Sequence, residues 1–128
     1  MLFTSTGILR YVDVKVIVEI DPEITRYYRY LLPKHIKTNK QMYPSHISVV
    51  RKEVPPRMEY WGRYEGEEIE FQYSHVVQSG GMYYWLNCYS DRLIEIRLEL
   101  GLPEATSLTR PPDGAWCFHS TIGNIKGL

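Results

Sequence analysis

The chain has 128 residues, 44% of them apolar, and its 15 acidic and 15 basic side chains cancel to a net charge of zero. That is enough apolar material for one core without disulfide staples, so residues 1–128 read as a single α+β domain. Neutrality argues against a long nucleic-acid duplex as partner, no apolar run is long enough to span a bilayer, and no leader pattern is visible at the N-terminus, so the expectation is a soluble, cytoplasmic protein.

In chain order, the apolar run over 12–20 predicts a strand. Asp21-Pro22-Glu23 then predicts a helix start, with Asp21 as N-cap, Pro22 in the first turn and an acid beside the positive end of the helix dipole. Ile24, Tyr27, Tyr28, Leu31 and Leu32 recur at helical spacing, and Tyr27, Tyr28 and Tyr84 read as core. A loop over 33–45 carries Lys34, Lys37, Lys40 and Tyr43 and leads into a short apolar strand beginning His46-Ile47-Ser48-Val49.

Residues 52–66 hold two prolines, Trp61-Gly62 and many charges, and read as a surface connection. Ile69, Phe71 and Tyr73 alternate with polar residues in a strand over 68–77, and Ser79-Gly80-Gly81 turns it into a second strand over 82–89. Ser90 is an N-cap candidate for a helix over 91–100, and Gly101 with Pro103 supplies the stop. Ile94, Ile96, Leu98 and Leu100 also alternate as a strand would, but the cap, the stop and the Leu, Glu and Arg content favour helix. A loop over 102–115, with Pro111-Pro112-Asp113-Gly114, leads to a last strand containing His119-Ser120-Thr121-Ile122. Cys88 and Cys117 each sit in an apolar strand and read as buried, reduced thiols.

The order strand, helix, loop, strand therefore occurs twice, and each final strand carries His-x-Ser/Thr. A strand sends residues i and i+2 to one face, so His46 lies beside Ser48 and His119 beside Thr121. An imidazole titrates near neutrality, so one histidine can accept a proton while another donates one. Hydroxyls beside them can hold the nonbridging oxygens of a phosphate as charge grows on it. His35 and His75 lack the spacing and read as structural or solvent-facing.

The two motifs, within Pro44-Ser45-His46-Ile47-Ser48-Val49-Val50-Arg51 and Phe118-His119-Ser120-Thr121-Ile122-Gly123-Asn124, resemble those of the 2H phosphoesterase superfamily, and within it the small phage proteins that include anti-CBASS nucleases. The resemblance implies a bilobal fold, two related lobes of antiparallel sheet with one helix each around a central cleft. It implies catalytic His46, His119, Ser48 and Thr121, no metal or other cofactor, and a small nucleotide substrate, with cyclic oligonucleotide signals favoured and the host cytoplasm as the setting. Two departures stand out: Ser48 replaces the threonine of many members, and Ser120 the usual apolar residue between the motif positions.

Candidate substrate-binding residues are Lys37, Arg51 and Lys126 for phosphate and Tyr11, Tyr43 and Trp116 for stacking on a base. Three functions remain open at this point: cleavage of cyclic oligonucleotides, cleavage of 2′,3′-cyclic phosphates on RNA ends or mononucleotides, and sequestration of a nucleotide without turnover. Two proton-transfer groups favour an enzyme.

Overall fold

The computed structural model describes residues 1–33, 36–40, 44–104 and 117–126. Its elements are β1 (Leu2–Val12), β2 (Lys15–Glu19), α1 (Pro22–Tyr30), β3 (Asn39–Lys40), β4 (His46–Val50), β5 (Glu68–Gly80), β6 (Tyr83–Tyr89), α2 (Asp91–Glu99) and β7 (Phe118–Asn124). All strands join one seven-stranded antiparallel sheet in the order β3-β7-β6-β5-β1-β2-β4. The fold is α+β, and no helix among the described residues is long and apolar enough to cross a membrane.

The element order contains a duplication. β1-β2-α1-β4 and β5-β6-α2-β7 follow the same strand-strand-helix-strand path, and the sheet order from β7 to β4 is palindromic about the central β5–β1 pair. β4 and β7, separated in that order by β6, β5, β1 and β2, nevertheless lie beside each other, so the sheet curls until the edge strand β4 comes alongside β7.

Both helices start where the caps place them. The Asp21 carboxylate accepts from the Glu23 amide at 2.9 Å, and the Ser90 hydroxyl accepts from the Leu93 amide at 3.4 Å. α2 buries Leu93, Ile96, Arg97 and, at its C-cap, Leu100, which is the spacing of one helix face. Those apolar side chains share a core with Leu9, Val16, Val18, Ile47, Val49, Ile69, Phe71 and Phe118, while Tyr28 of α1 packs with Leu86 and Ile122. The helices therefore cover one face of the sheet, where large apolar side chains repeat every second residue.

Several expectations need correction. Residues 12–20 are not one strand: Asp13 adopts φ 54°, a left-handed conformation that an aspartate tolerates, and Asp13-Val14 turns β1 into β2. β1 itself, polar through Thr4-Ser5-Thr6, owes its extended form to β5 along one edge and β2 along part of the other. Ser79 and Gly80 belong to β5, and Gly81 (φ 66°) with Met82 makes the tight turn, because only glycine takes that φ at no steric cost. The 33–45 connection contains the two-residue strand β3, and the 52–66 connection holds a short 3₁₀ turn, Met58–Tyr60. Tyr28 is buried as expected, whereas Tyr27 points outward and is 57% exposed. Both cysteines are buried and neither forms a disulfide; burial pushes the Cys88 thiol well above its usual range.

Candidate active site

The four motif side chains share the face of the sheet opposite the helices. On β4, Ile47 is fully buried while His46 and Ser48 are half-exposed; on β7, Phe118, Ser120 and Ile122 are buried while His119 and Thr121 are half-exposed. Because β4 lies beside β7, two imidazoles and two hydroxyls occupy neighbouring strands on one face.

His46 is held from its own strand entrance. Its Nδ1 lies 2.7 Å from the Pro44 carbonyl, and since a carbonyl only accepts, Nδ1 carries the hydrogen and Nε2 is the outward, reactive nitrogen. The preceding residue is anchored as well: the Ser45 and Thr25 hydroxyls are 2.6 Å apart, and the Ser45 carbonyl accepts from Ile20. Across the ladder His46 faces Glu19, whose carboxylate lies 3.7 Å from Arg10.

His119 sits differently. Its ring stacks on Trp85 of β6, with centroids 4.9 Å apart and planes 28° from parallel. Burial lowers its pKa from 6.5 to about 4, so at neutral pH the imidazole is uncharged and able to accept a proton. That displacement corresponds to about 3 kcal/mol, trimmed because the ring is partly solvated. An indole face attracts an imidazolium by only about 0.5–1 kcal/mol at a half-exposed site. Desolvation wins.

A matched pair of arginines shapes the motif strands. The β2–β4 register passes from Ile17↔Ser48 to Val16↔Val50, leaving Val49 as a bulge, and the β6–β7 register passes from Trp85↔Thr121 to Tyr84↔Gly123, leaving Ile122 as a bulge. Each bulge falls on the third residue after the motif histidine. Bulged carbonyls leave the ladder and need another donor. Arg97 of α2 donates from Nη1 to the Val49 carbonyl at 2.7 Å, and Arg29 of α1 donates from Nη1 to the Ile122 carbonyl at 3.0 Å. Each helix thus supports the motif strand of the other half.

The remaining sequence candidates are not gathered around the histidines. Tyr11 lies on the helix-covered face, edge-on to Trp61 at 5.3 Å with its phenol oxygen buried, and the structure does not bring it to the motifs. Alternation along β1 decides this, since Tyr11 shares its face with buried Leu9. Arg51 is exposed just past β4. Lys37 is exposed ahead of β3, and Lys126 follows the far end of β7, with Nζ 5.0 Å from the centre of the Tyr83 ring. Tyr43, Trp116 and most of the 102–115 loop lie outside the described residues. Sequence reasoning missed Trp85, Asn87, Arg29 and Arg97; the register alone reveals them, and a tryptophan and an asparagine alternating on a strand next to a turn were the only local signal.

Among the described residues no cluster of three or more His, Cys, Asp or Glu could hold a metal ion. Comparison with known protein families, with curated proteins and with solved structures found no match.

Proposed function

We propose that the protein is a phosphodiesterase of the 2H type that cleaves small ribonucleotides by paired acid–base catalysis, with cyclic oligonucleotide signals as substrate. One observation carries the reading: a repeated strand-strand-helix-strand order brings two imidazole-x-hydroxyl strands side by side, with all four side chains on the face opposite the two described helices. The palindromic sheet is what two related lobes, each with one helix, would build when fused through their first strands, and the face between β4 and β7 is then the cleft.

The chemistry follows from the groups. One imidazole takes the proton of a water or a ribose 2′-hydroxyl as the new O–P bond forms. The bond from phosphorus to the leaving oxygen breaks, and the second imidazole gives that oxygen its proton. Ser48 and Thr121 donate to the nonbridging oxygens, where charge accumulates in the transition state. Exposed Arg51 and Lys126 follow the ends of the two motif strands, and exposed Lys37 precedes β3, which pairs with the end of β7; these positions suit flanking phosphates rather than the scissile one. A signal nucleotide as substrate places the protein in the cytoplasm of the cell that makes it, and its destruction is how a phage evades immunity of the CBASS type.

The test is incubation of the protein, in EDTA, with cyclic dinucleotides, cyclic trinucleotides and 2′,3′-cyclic mononucleotides, beside His46→Ala and His119→Ala. Cleavage of a cyclic oligonucleotide that both variants lose supports the reading. Cleavage of the 2′,3′-cyclic mononucleotides alone moves the substrate to RNA ends or metabolites. Tight retention of a ligand without cleavage means sequestration and overturns the acid–base mechanism.

A further inference from the structure

Trp85 is held at three points. Its ring stacks on His119. Its Nε1–H donates to Asn87 Oδ1 at 3.1 Å, and Asn87 is the residue directly opposite His119 in the β6–β7 ladder. Its outer edge abuts the backbone at Gly80, where a Cβ would lie 2.8 Å from Trp85 Cη2 and 3.1 Å from Cζ3. Gly80 does not have a positive φ, so what glycine supplies there is room for the indole. Opposite Trp85 stands Thr121, which makes His119 its diagonal neighbour, within reach of a large ring.

We propose that Trp85, braced by Gly80 and tied to Asn87, is the positioning residue for His119: it fixes the imidazole in one orientation and keeps it dry and uncharged, which makes His119 the general base and His46 the general acid. The assignment rests on the phosphodiesterase reading, but the positioning role does not. The two histidines differ in the way their roles demand. His119 is covered on one face by an apolar ring, which disfavours a charged imidazole. His46 instead donates its Nδ1 hydrogen to a carbonyl, an arrangement the charged ring retains while Nε2 carries the proton to be delivered. Among the described side chains, the titratable or charged groups on the elements packed against β7 are His46 on β4, Tyr83, Tyr84, Cys88 and Tyr89 on β6, and Glu23, Arg26, Tyr27, Tyr28, Arg29 and Tyr30 on α1. The cause of the effect on His119 is burial.

The experiment is a histidine side-chain NMR titration of the whole protein and of Trp85→Leu, Trp85→Phe and Gly80→Ala, followed by pH profiles of cleavage. In the wild type the His119 midpoint falls near 4. Trp85→Leu raises it by at least about one pH unit, a tenfold change in proton affinity, and Trp85→Phe recovers part of the difference. Gly80→Ala displaces the His119 ring resonances because the indole must move. In cleavage, Trp85→Leu moves the acid limb of kcat/KM upward by the same interval and lowers kcat with little change in KM. An unchanged or lowered His119 midpoint in Trp85→Leu overturns the positioning role. A wild type that titrates as expected yet cleaves nothing overturns the phosphodiesterase reading and leaves the positioning role standing.

Discussion

Replacing Arg97 with methionine removes the support of the first motif strand while nearly preserving volume. The guanidinium is fully buried and makes four hydrogen bonds: Nε to the Pro103 carbonyl at 2.8 Å, Nη1 to the Val49 carbonyl at 2.7 Å, and both terminal nitrogens to the Glu53 carboxylate at 2.9 and 2.8 Å. Glu53 is only 22% exposed, so it cannot turn to water for full compensation. Breaking a buried pair from one side costs about 3–5 kcal/mol, and the two orphaned carbonyls belong to that same loss rather than adding fully to it. Against a total stability of about 5–15 kcal/mol, this removes a large share. In urea unfolding followed by tryptophan fluorescence, a loss of about 4 kcal/mol lowers the midpoint by about 2 M at a slope of about 2 kcal/mol/M. Arg29→Met, which gives up one half-buried hydrogen bond, costs about 1 kcal/mol. Adding Glu53→Leu to Arg97→Met recovers stability, because the double variant no longer strands a charge. If Arg97→Met costs no more than Arg29→Met, or if the double variant is no better than the single, the buried pair does not anchor the strand.

Other expectations concern pH, space and chemistry. Between pH 6.5 and about 4 the unfolded chain protonates His119 before the folded chain does, so stability falls as pH drops through that window, by less than about 3 kcal/mol. The wild type should therefore lose more urea stability than His119→Asn between pH 7 and pH 4, and parallel curves would contradict the burial of the ring. Gly7→Ala places a Cβ against the Glu19 carbonyl and 2.6 Å from Val18 Cγ1, a backbone clash that should cost about 1–3 kcal/mol or more in thermal unfolding. Ser48→Ala and Thr121→Ala should each lower kcat by about 10²-fold or more at unchanged fold, with activity insensitive to EDTA, and an equal effect on KM alone would assign the hydroxyls to ground-state binding.

Much of the scaffold is legible in the chain because it is encoded locally. Asp21 and Ser90 mark the helix starts since an N-cap needs only its own next three residues. The ambiguous run from Ile94 to Leu100 resolves as helix because its buried set is Leu93, Ile96, Arg97 and Leu100, not every second residue. β1 escaped notice because its first half, Leu2-Phe3-Thr4-Ser5-Thr6, carries little alternation and is extended through pairing with residues nearly seventy positions away. Asp13 escaped because one left-handed residue inside an apolar run leaves no periodic trace.

The amino-acid sequence by itself determined which residues pair an imidazole with a hydroxyl, since that follows from alternation within a strand. It also determined that the arrangement occurs twice, since the cap and stop signals repeat. Only the tertiary structure decided that β4 and β7 meet, that Arg29 and Arg97 cross to the opposite half to hold the bulged carbonyls, and that Trp85 covers one histidine and not the other. Those outcomes depend on sheet order and register, which are chosen by the burial of the whole apolar face at once and are carried by no single stretch of chain.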